Sequence, residues 1–365
     1  MTDCEPMCEP CEHSDSGSKP SDSGSEHKGK GLLLIGDPHF KEDNDLDTNP
    51  PVTFILELAQ SRRNDLEAII VMGDILHDHK RSYMRAHMKA CDFLLALSTI
   101  APTYLLIGNH DRVDNFDFLS DIHFFHGLTR DTLTVVSKVM TITVNNQTVV
   151  LVPYVPAGRF LEALYTYDKT PEWFTSASLI CAHQEFNQCI LGSNRRSTTG
   201  DEWDIQYPPV YSGHIHGAHD YHNIHYVGSM YQVDYSEAAN KAVRIVTVGS
   251  SISEEVIPLP MRKKVLIQLT QDNFTSFVRD SSANEVLTIH IYCRPGVDLS
   301  THPLVEAWKK AGHTVAQRLI KDDTPGSLDG IAVTSTSFLS KLRERVKDRP
   351  EYVTILDRVF GSPSL

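Results

Sequence analysis

Five times along this 365-residue chain a short apolar run stops at a residue able to bind a metal ion. Leu32 to Ile35 runs into Gly36, Asp37 and His39. Ala68 to Met72 runs into Gly73 and Asp74, and Tyr104 to Ile107 into Gly108, Asn109, His110 and Asp111. Leu179 to Cys181 leads to His183, and Val210-Tyr211 to Gly213, His214 and His216. Apolar runs of this length, bounded by turn residues, predict strands buried on both faces. In open α/β sheets the strand ends are where sites collect. The chain is therefore expected to bring seven ligand-type side chains together from five strand ends.

Between these runs lie segments of helical spacing. Phe54, Ile55 and Leu58 predict an amphipathic helix over Phe54 to Arg62, and Met84, Met88, Cys91 and Leu95 fall on one face of Tyr83 to Leu97. Strand, helix, strand, helix, strand is the alternation of an α/β fold. Asn145-Asn146 between Thr141–Val144 and Val149–Val152 predicts a hairpin. Val155 to Thr175 is read as helical in part, Leu191 to Tyr207 as a long loop, and Tyr221 to Tyr235 and Ala242 to Val248 as strands. A domain over 31–260 is expected to close near Pro260. A small α/β appendage over 261–325 follows, with strands at Val265–Leu269, Val286–Cys293 and Thr314–Ile320 and a helix at Pro303–Ala311. An amphipathic helix pair over 326–365, broken at Pro350, ends the chain; its apolar stripes suit a partner or the appendage itself.

Residues 1–30 have almost nothing to bury and read as a disordered tail. Cys4, Cys8, Cys11 and His13 within it are spaced for a zinc ion, but no packing half follows them; a free tail is the preferred reading. Seven cysteines form no closed disulfide set and fit a reducing compartment. With no signal-like N-terminus and no apolar run near the roughly 20 residues that cross a bilayer, the expected location is intracellular, cytoplasmic or nuclear, with no membrane partner. The formal net charge of -13 argues against broad electrostatic binding of nucleic acid. It does not exclude a nuclease, because bound divalent ions put positive charge where a phosphate must sit.

Asp, His and Asn suit Mn²⁺, Fe²⁺ or Zn²⁺. Two such ions about 4 Å apart clamp a phosphoryl oxygen and a water, and they need a bridging carboxylate. Asp74 is the expected bridge. Asp37, His39 and His216 would complete the first ion, and Asn109, His183 and His214 the second. His110, left without a metal, could protonate the leaving oxygen or steady charge on the phosphate. Taken singly the motifs are weak: Asp-Pro-His is usually a turn, and His183 alone reads as a core histidine. His79, His87, His123, His126, His219, His222 and His225 are read as surface residues.

Together the five motifs resemble those of the calcineurin-like metallophosphoesterase superfamily, and within it the SbcD and MRE-eleven type nucleases, including the phage recombination endonuclease subunit. Gly73-Asp74-Ile-Leu-His77 resembles that branch's Gly-Asp-x-x-His form, His183-Gln-Glu-Phe186 its fourth motif, and Tyr226-Val-Gly-Ser-Met-Tyr231 with Glu237 its closing tract. The resemblance implies a two-sheet sandwich flanked by helices, with a small α/β cap that contacts DNA and C-terminal helices that engage an SMC-like ATPase. It implies two divalent ions, manganese foremost, and DNA exonuclease and endonuclease activity in recombination or repair. It also implies a role for His77 near the DNA phosphate, and it leaves a homodimer open. Phe40-Lys41 stand where the family often has Leu-Gly, so substrate contacts there differ. Two rivals remain: the same site acting on a small phosphodiester or phosphoprotein, and a scaffold with an inactive site.

Overall fold

The computed structural model describes residues 29–192, 195–278 and 285–320. The cysteine-bearing tail and the expected C-terminal helices lie outside these residues. In chain order the first half contains β1 (Gly31–Ile35), α1 (Asp45–Ser61), β2 (Leu66–Val71), α2 (Met84–Ser98), β3 (Thr103–Leu106), β4 (Leu133–Val136), β5 (Met140–Val144) and β6 (Gln147–Val152). Then come α3 (Phe160–Tyr167), β7 (Leu179–Ala182), β8 (Val210–Ser212), β9 (His219–Tyr221), β10 (Ile224–Tyr226), β11 (Ala242–Val248) and β12 (Ile252–Pro258). Last are β13 (Lys263–Thr270), β14 (Glu285–Cys293), α4 (Pro303–Lys310) and β15 (Thr314–Leu319). Among the described residues, those up to Arg318 belong to one compact unit, and Leu319 and Ile320 to a second. Among the described residues no helix is long and apolar enough to cross a membrane.

Two six-stranded sheets carry the first of these units. One runs β12-β11-β1-β2-β3-β4, with β1 to β4 parallel and β11 and β12 antiparallel. The other runs β5-β6-β7-β8-β10-β9, with β6, β7, β8 and β10 parallel. Parallel neighbours need a crossover, which α1 and α2 supply for the first sheet.

Alternation along each strand sorts side chains into layers. Leu32, Leu34, Ala68, Ile70 and Met72 face Leu151, Leu179, Cys181 and Tyr211 between the sheets. Leu33, Ile35, Ile69 and Val71 point outward onto Ile55, Ala59, Ala90 and Phe93 of α1 and α2. Val150, Val152, Ile180 and Ala182 point the opposite way onto Phe160, Ala163 and Leu164 of α3. Burial on both faces is why these strands read as unbroken apolar runs. The result is the mixed α/β two-sheet sandwich flanked by helices.

The structure departs from the sequence reading at several elements. Helix α1 begins at Asp45, not Phe54, and runs through Pro50 and Pro51. In α2 the buried face is Ala86, Ala90, Phe93, Leu94 and Leu97, whereas Met84 and Met88 are exposed. Strands β4 and β12 were not expected. His214 and His216 follow the apolar run as expected, in the turn beyond β8, where His214 has φ 77. The hairpin is as expected: Asn145 and Asn146 both have positive φ, as a two-residue type I′ turn requires.

In the appendage β13 pairs parallel with β14, and Leu287, Ile289 and Ile291 pack with Val305 of α4. Helix α4 is capped by His302, which accepts from Leu304 N at 3.2 Å, and ends on Lys309 and Lys310. Gln232 ties this sheet to the main body. Its Nε2 donates to Glu237 O (2.8 Å) and Lys264 O (3.1 Å), and its Oε1 accepts from Lys264 N (2.8 Å).

The inter-sheet layer sets the distance between the two halves of the site. Leu34→Ala, at a fully buried position, is expected to cost about 3–5 kcal/mol of unfolding free energy in urea titration. A cost below about 1 kcal/mol would mean that the layer does not hold the sheets.

Candidate metal centre

The turns after β1, β2 and β3 in one sheet and after β7 and β8 in the other meet at one end of the sandwich. Asp37, His39, Asp74, Asn109 and His183 are buried there, and His110, His214 and His216 are half-buried. The meeting requires unusual backbone. His39, Asp74 and His214 have φ of 45, 47 and 77, the left-handed region that costs non-glycine residues energy and is found at functional sites. Gly73 has φ 100, and a Cβ there would run into the His183 ring. At Gly108 a Cβ would collide with Asp74 itself.

Among the described residues two donor groups hold the expected metal ligands, and a further one, His39, His77 and His110, shares His39 with the first. Ring nitrogens and carboxylate oxygens of Asp37, His39 and His216 lie within 4.8 Å of one another, and so do those of Asp74, His183 and His214. Asn109 Oδ1 joins the second group, 3.1 Å from His183 Nε2 and 2.9 Å from His214 Nδ1. Asp74 reaches both groups: its Oδ1 is 3.3 Å from His183 Nε2 and its Oδ2 is 3.9 Å from His39 Nε2.

The outer nitrogens of three of these rings are already committed. His183 Nδ1 donates to Met72 O (2.6 Å), His216 Nδ1 donates to Glu237 Oε1 (2.7 Å), and His214 Nε2 faces Glu185 Oε2 at 3.7 Å. In neutral rings the inward nitrogens then carry lone pairs. They face Asp74, Asn109 and, at 2.8 Å, the His39 ring nitrogen. Asp37 Oδ1 and His39 Nδ1 are buried with no hydrogen-bond partner. Lone pairs at these separations repel unless positive charge lies among them. The residues fit divalent cations, and the outer acceptors are the partners that orient metal-binding histidines.

The electrostatics agree. Burial pushes His39 well below the imidazole range, leaving it neutral. Burial opposes ionisation of Asp74, yet His183, His110 and His39 outweigh it and hold the carboxyl well below its usual range. Burial likewise opposes charge on His183, and Asp74 outweighs it, raising the imidazole to about 9. Asp37 is raised by burial despite His183 nearby. Burial opposes Glu237's charge, but His216 and Lys241 bring it down to about 2; the bond from His214 brings Glu185 to about 2.

His110 N donates to Asp74 Oδ1 at 2.8 Å, its Nδ1 is bonded to His77 O, and its Nε2 stands 3.8 Å from Asp74 Oδ2. His77 is brought to the same corner, its ring 5.3 Å from His39 and 5.8 Å from His110, and burial lowers it to about 4. All nine residues singled out in the sequence are therefore close together.

Sequence reasoning named Asp111, Glu185 and Glu237 inside motifs without their part in holding these residues, and it missed Tyr154 and Lys241. Asp111, fully buried, accepts from Leu76 N (3.1 Å) and Gly108 N (3.0 Å), tying the turn after β2 to the turn after β3. Burial and the charge of Asp74 raise it to about 7. Glu237 is held in turn by Lys241 Nζ at 2.8 Å, and Tyr154 stacks on His214 with centroids 5.9 Å apart. Asp111 and Glu185 each had a local signal, next to His110 and two residues from His183. Of the histidines read as surface, His79 is exposed yet lies on the His110 ring at 3.6 Å. His87, His123, His219 and His225 are half-buried, each against a neighbouring ring.

The calcineurin-like phosphoesterase family model matches residues 31–218. The chain is similar to 244L of Invertebrate iridescent virus 6, at 34% identity over 73% of this chain and 94% of that one. It is also similar to 078R of Invertebrate iridescent virus 3, at 35% identity over 66% and 70%. Both are provisionally named phosphoesterases. Among solved structures, a hypothetical protein from Thermus thermophilus aligns over 63% of this chain and 100% of its own at 11% identity, with a TM-score of 0.34, too low to carry the comparison further.

Asp111→Ala would leave two backbone donors without partners. The expected loss is about 1–3 kcal/mol in urea unfolding of metal-free protein, with a smaller loss for Asp111→Asn. Equal stability of all three proteins would show that the tie does not hold the turns.

Proposed function

The chain belongs to the calcineurin-like phosphoesterase family, and on that premise we propose that it is a two-metal DNA phosphodiesterase of the SbcD and MRE-eleven kind. One observation carries the two-metal reading: imidazole and oxygen lone pairs converge from five strand ends with Asp74 between two groups of them. Asp37, His39, His216 and Asp74 would hold one ion, and Asp74, Asn109, His183 and His214 the other. Mn²⁺ suits this mixed oxygen and nitrogen set, with Fe²⁺ and Zn²⁺ as alternatives. When bound, the pair supplies Lewis-acid polarisation of the phosphate and an activated water.

The chain's own residues do the rest. Met72 O, Glu185 and Glu237 orient three imidazoles so that their lone pairs point inward. His77 O accepts from His110 Nδ1 and fixes the ring, so that in the imidazolium form Nε2 gives its proton to the leaving oxygen and the ring becomes neutral. His77 itself, neutral and half-buried, is a hydrogen-bonding group for a non-scissile phosphate oxygen.

Support for DNA as substrate is the α/β cap that follows the site, joined through Gln232 to the loop that carries Glu237. An SMC-like ATPase would engage residues 326–365, and a homodimer is compatible with this arrangement. The formal charge of -13 favours a second reading, a small phosphodiester or a phosphoprotein as substrate.

With Mn²⁺ the purified protein is expected to cleave single- or double-stranded DNA. Asp74→Ala should reduce the rate to background. His110→Ala should lower kcat by about 10²–10⁴-fold while metal uptake, read by calorimetry, persists. Turnover of bis-p-nitrophenyl phosphate without DNA cleavage, with or without an ATPase partner, would select the second reading.

A further inference from the structure

A cavity of about 740 Å³ lies beside the metal centre, with His214 and His216 in its wall. That size falls in the range of small-molecule sites, about 300–1,000 Å³. Ile190 and Leu191 form one side, Gly217 to His219 another, and Ala238 a third. Its walls are held in place. His219 Nδ1 donates to Gly217 O (2.8 Å), and its Nε2 accepts from Ile190 N (2.9 Å). One ring thus clips the turn after β8 to the loop after β7, while stacking on buried Tyr226 with centroids 4.9 Å apart.

The wall chemistry selects what can enter. Among the described residues that line the cavity none is a lysine or arginine. Its one carboxylate, Glu237, is bonded to His216, Lys241 and Val233 N. Nothing there rewards a second phosphate, whereas Ile190, Leu191, Ile215 and the small residues offer apolar surface to a flat, uncharged group. We propose that this cavity seats the nucleoside attached to the scissile phosphate, so that the site reads a base as well as a phosphodiester. The inference rests on the phosphodiesterase reading and adds to it the place where the substrate's nucleoside sits.

Gly217 offers a way to fill the cavity. A Cβ there meets nothing within 4 Å, and its φ is not left-handed, so Gly217→Leu adds bulk without a backbone clash. The test compares three Mn²⁺-supported substrates: methyl p-nitrophenyl phosphate and the p-nitrophenyl esters of thymidine 5′-phosphate and thymidine 3′-phosphate. At least one thymidine ester should exceed the methyl ester by about tenfold or more in kcat/KM, mostly through KM, as burial of about 60 Å² of apolar surface allows. Gly217→Leu should bring that ratio close to one. Independently of turnover, saturation-transfer NMR with thymidine 5′-monophosphate in metal-free buffer should mark the base protons with the parent protein and not with the variant. Gly192→Leu, also open around its Cβ, repeats the test if the first variant does not fold.

No preference for either thymidine ester, with the methyl ester still hydrolysed, overturns the pocket and leaves the phosphodiesterase standing. A preference that survives both variants also overturns it. Failure to turn over any ester removes the phosphodiesterase reading and the pocket with it.

Discussion

The carboxylate of Asp74 sits almost fully buried between two groups of imidazoles, and the rest of the site is organised by that fact. A buried anion needs positive charge beside it. Here the His39 ring is neutral, and the amide oxygen and the second carboxylate nearby supply none. Protonation of His183 relieves the conflict on one side only. Two cations would relieve it on both, which explains how a chain can gather so many acceptors in one place and remain folded.

Gathering them is a task for the whole sandwich. Each sheet sends its parallel strands toward one end, so successive turns deliver side chains to a single cleft. Close approach then depends on small geometric permissions, such as Gly73 against His183 and Gly108 against Asp74. A layer of carboxylates stands behind the donors: Glu237 behind His216, Glu185 behind His214, Asp111 behind two backbone amides. These groups act through the donors and amides that they hold. They fix tautomer and direction, which is what separates a cation site from a cluster of polar side chains.

The strand ends were legible because burial on both faces forces apolar runs, and a polar residue at the end of such a run is conspicuous. Strand β14 was legible from its alternation, with Leu287, Ile289 and Ile291 on one packed face. Helix α1 was misjudged because Pro50-Pro51 reads as a break, although both residues sit within its first two turns. In α2 the large methionines drew the stripe to the wrong face, while the buried contacts are made by Ala86 and Ala90, whose small size lets the helix lie close to the sheet. Strand β12 hides behind Glu254 and Glu255 because an edge strand need not be apolar. Glu237 was named in the closing tract, but its bond to His216, 21 residues away, has no local pattern.

The decisive measurement is anomalous diffraction from crystals of this protein equilibrated with Mn²⁺. Two peaks are expected about 4 Å apart, with the Asp74 carboxylate between them, Asp37, His39 and His216 around one, and Asn109, His183 and His214 around the other. Crystals that show no peak among these side chains, or a single peak that Asp74 does not touch, would contradict the two-cation centre.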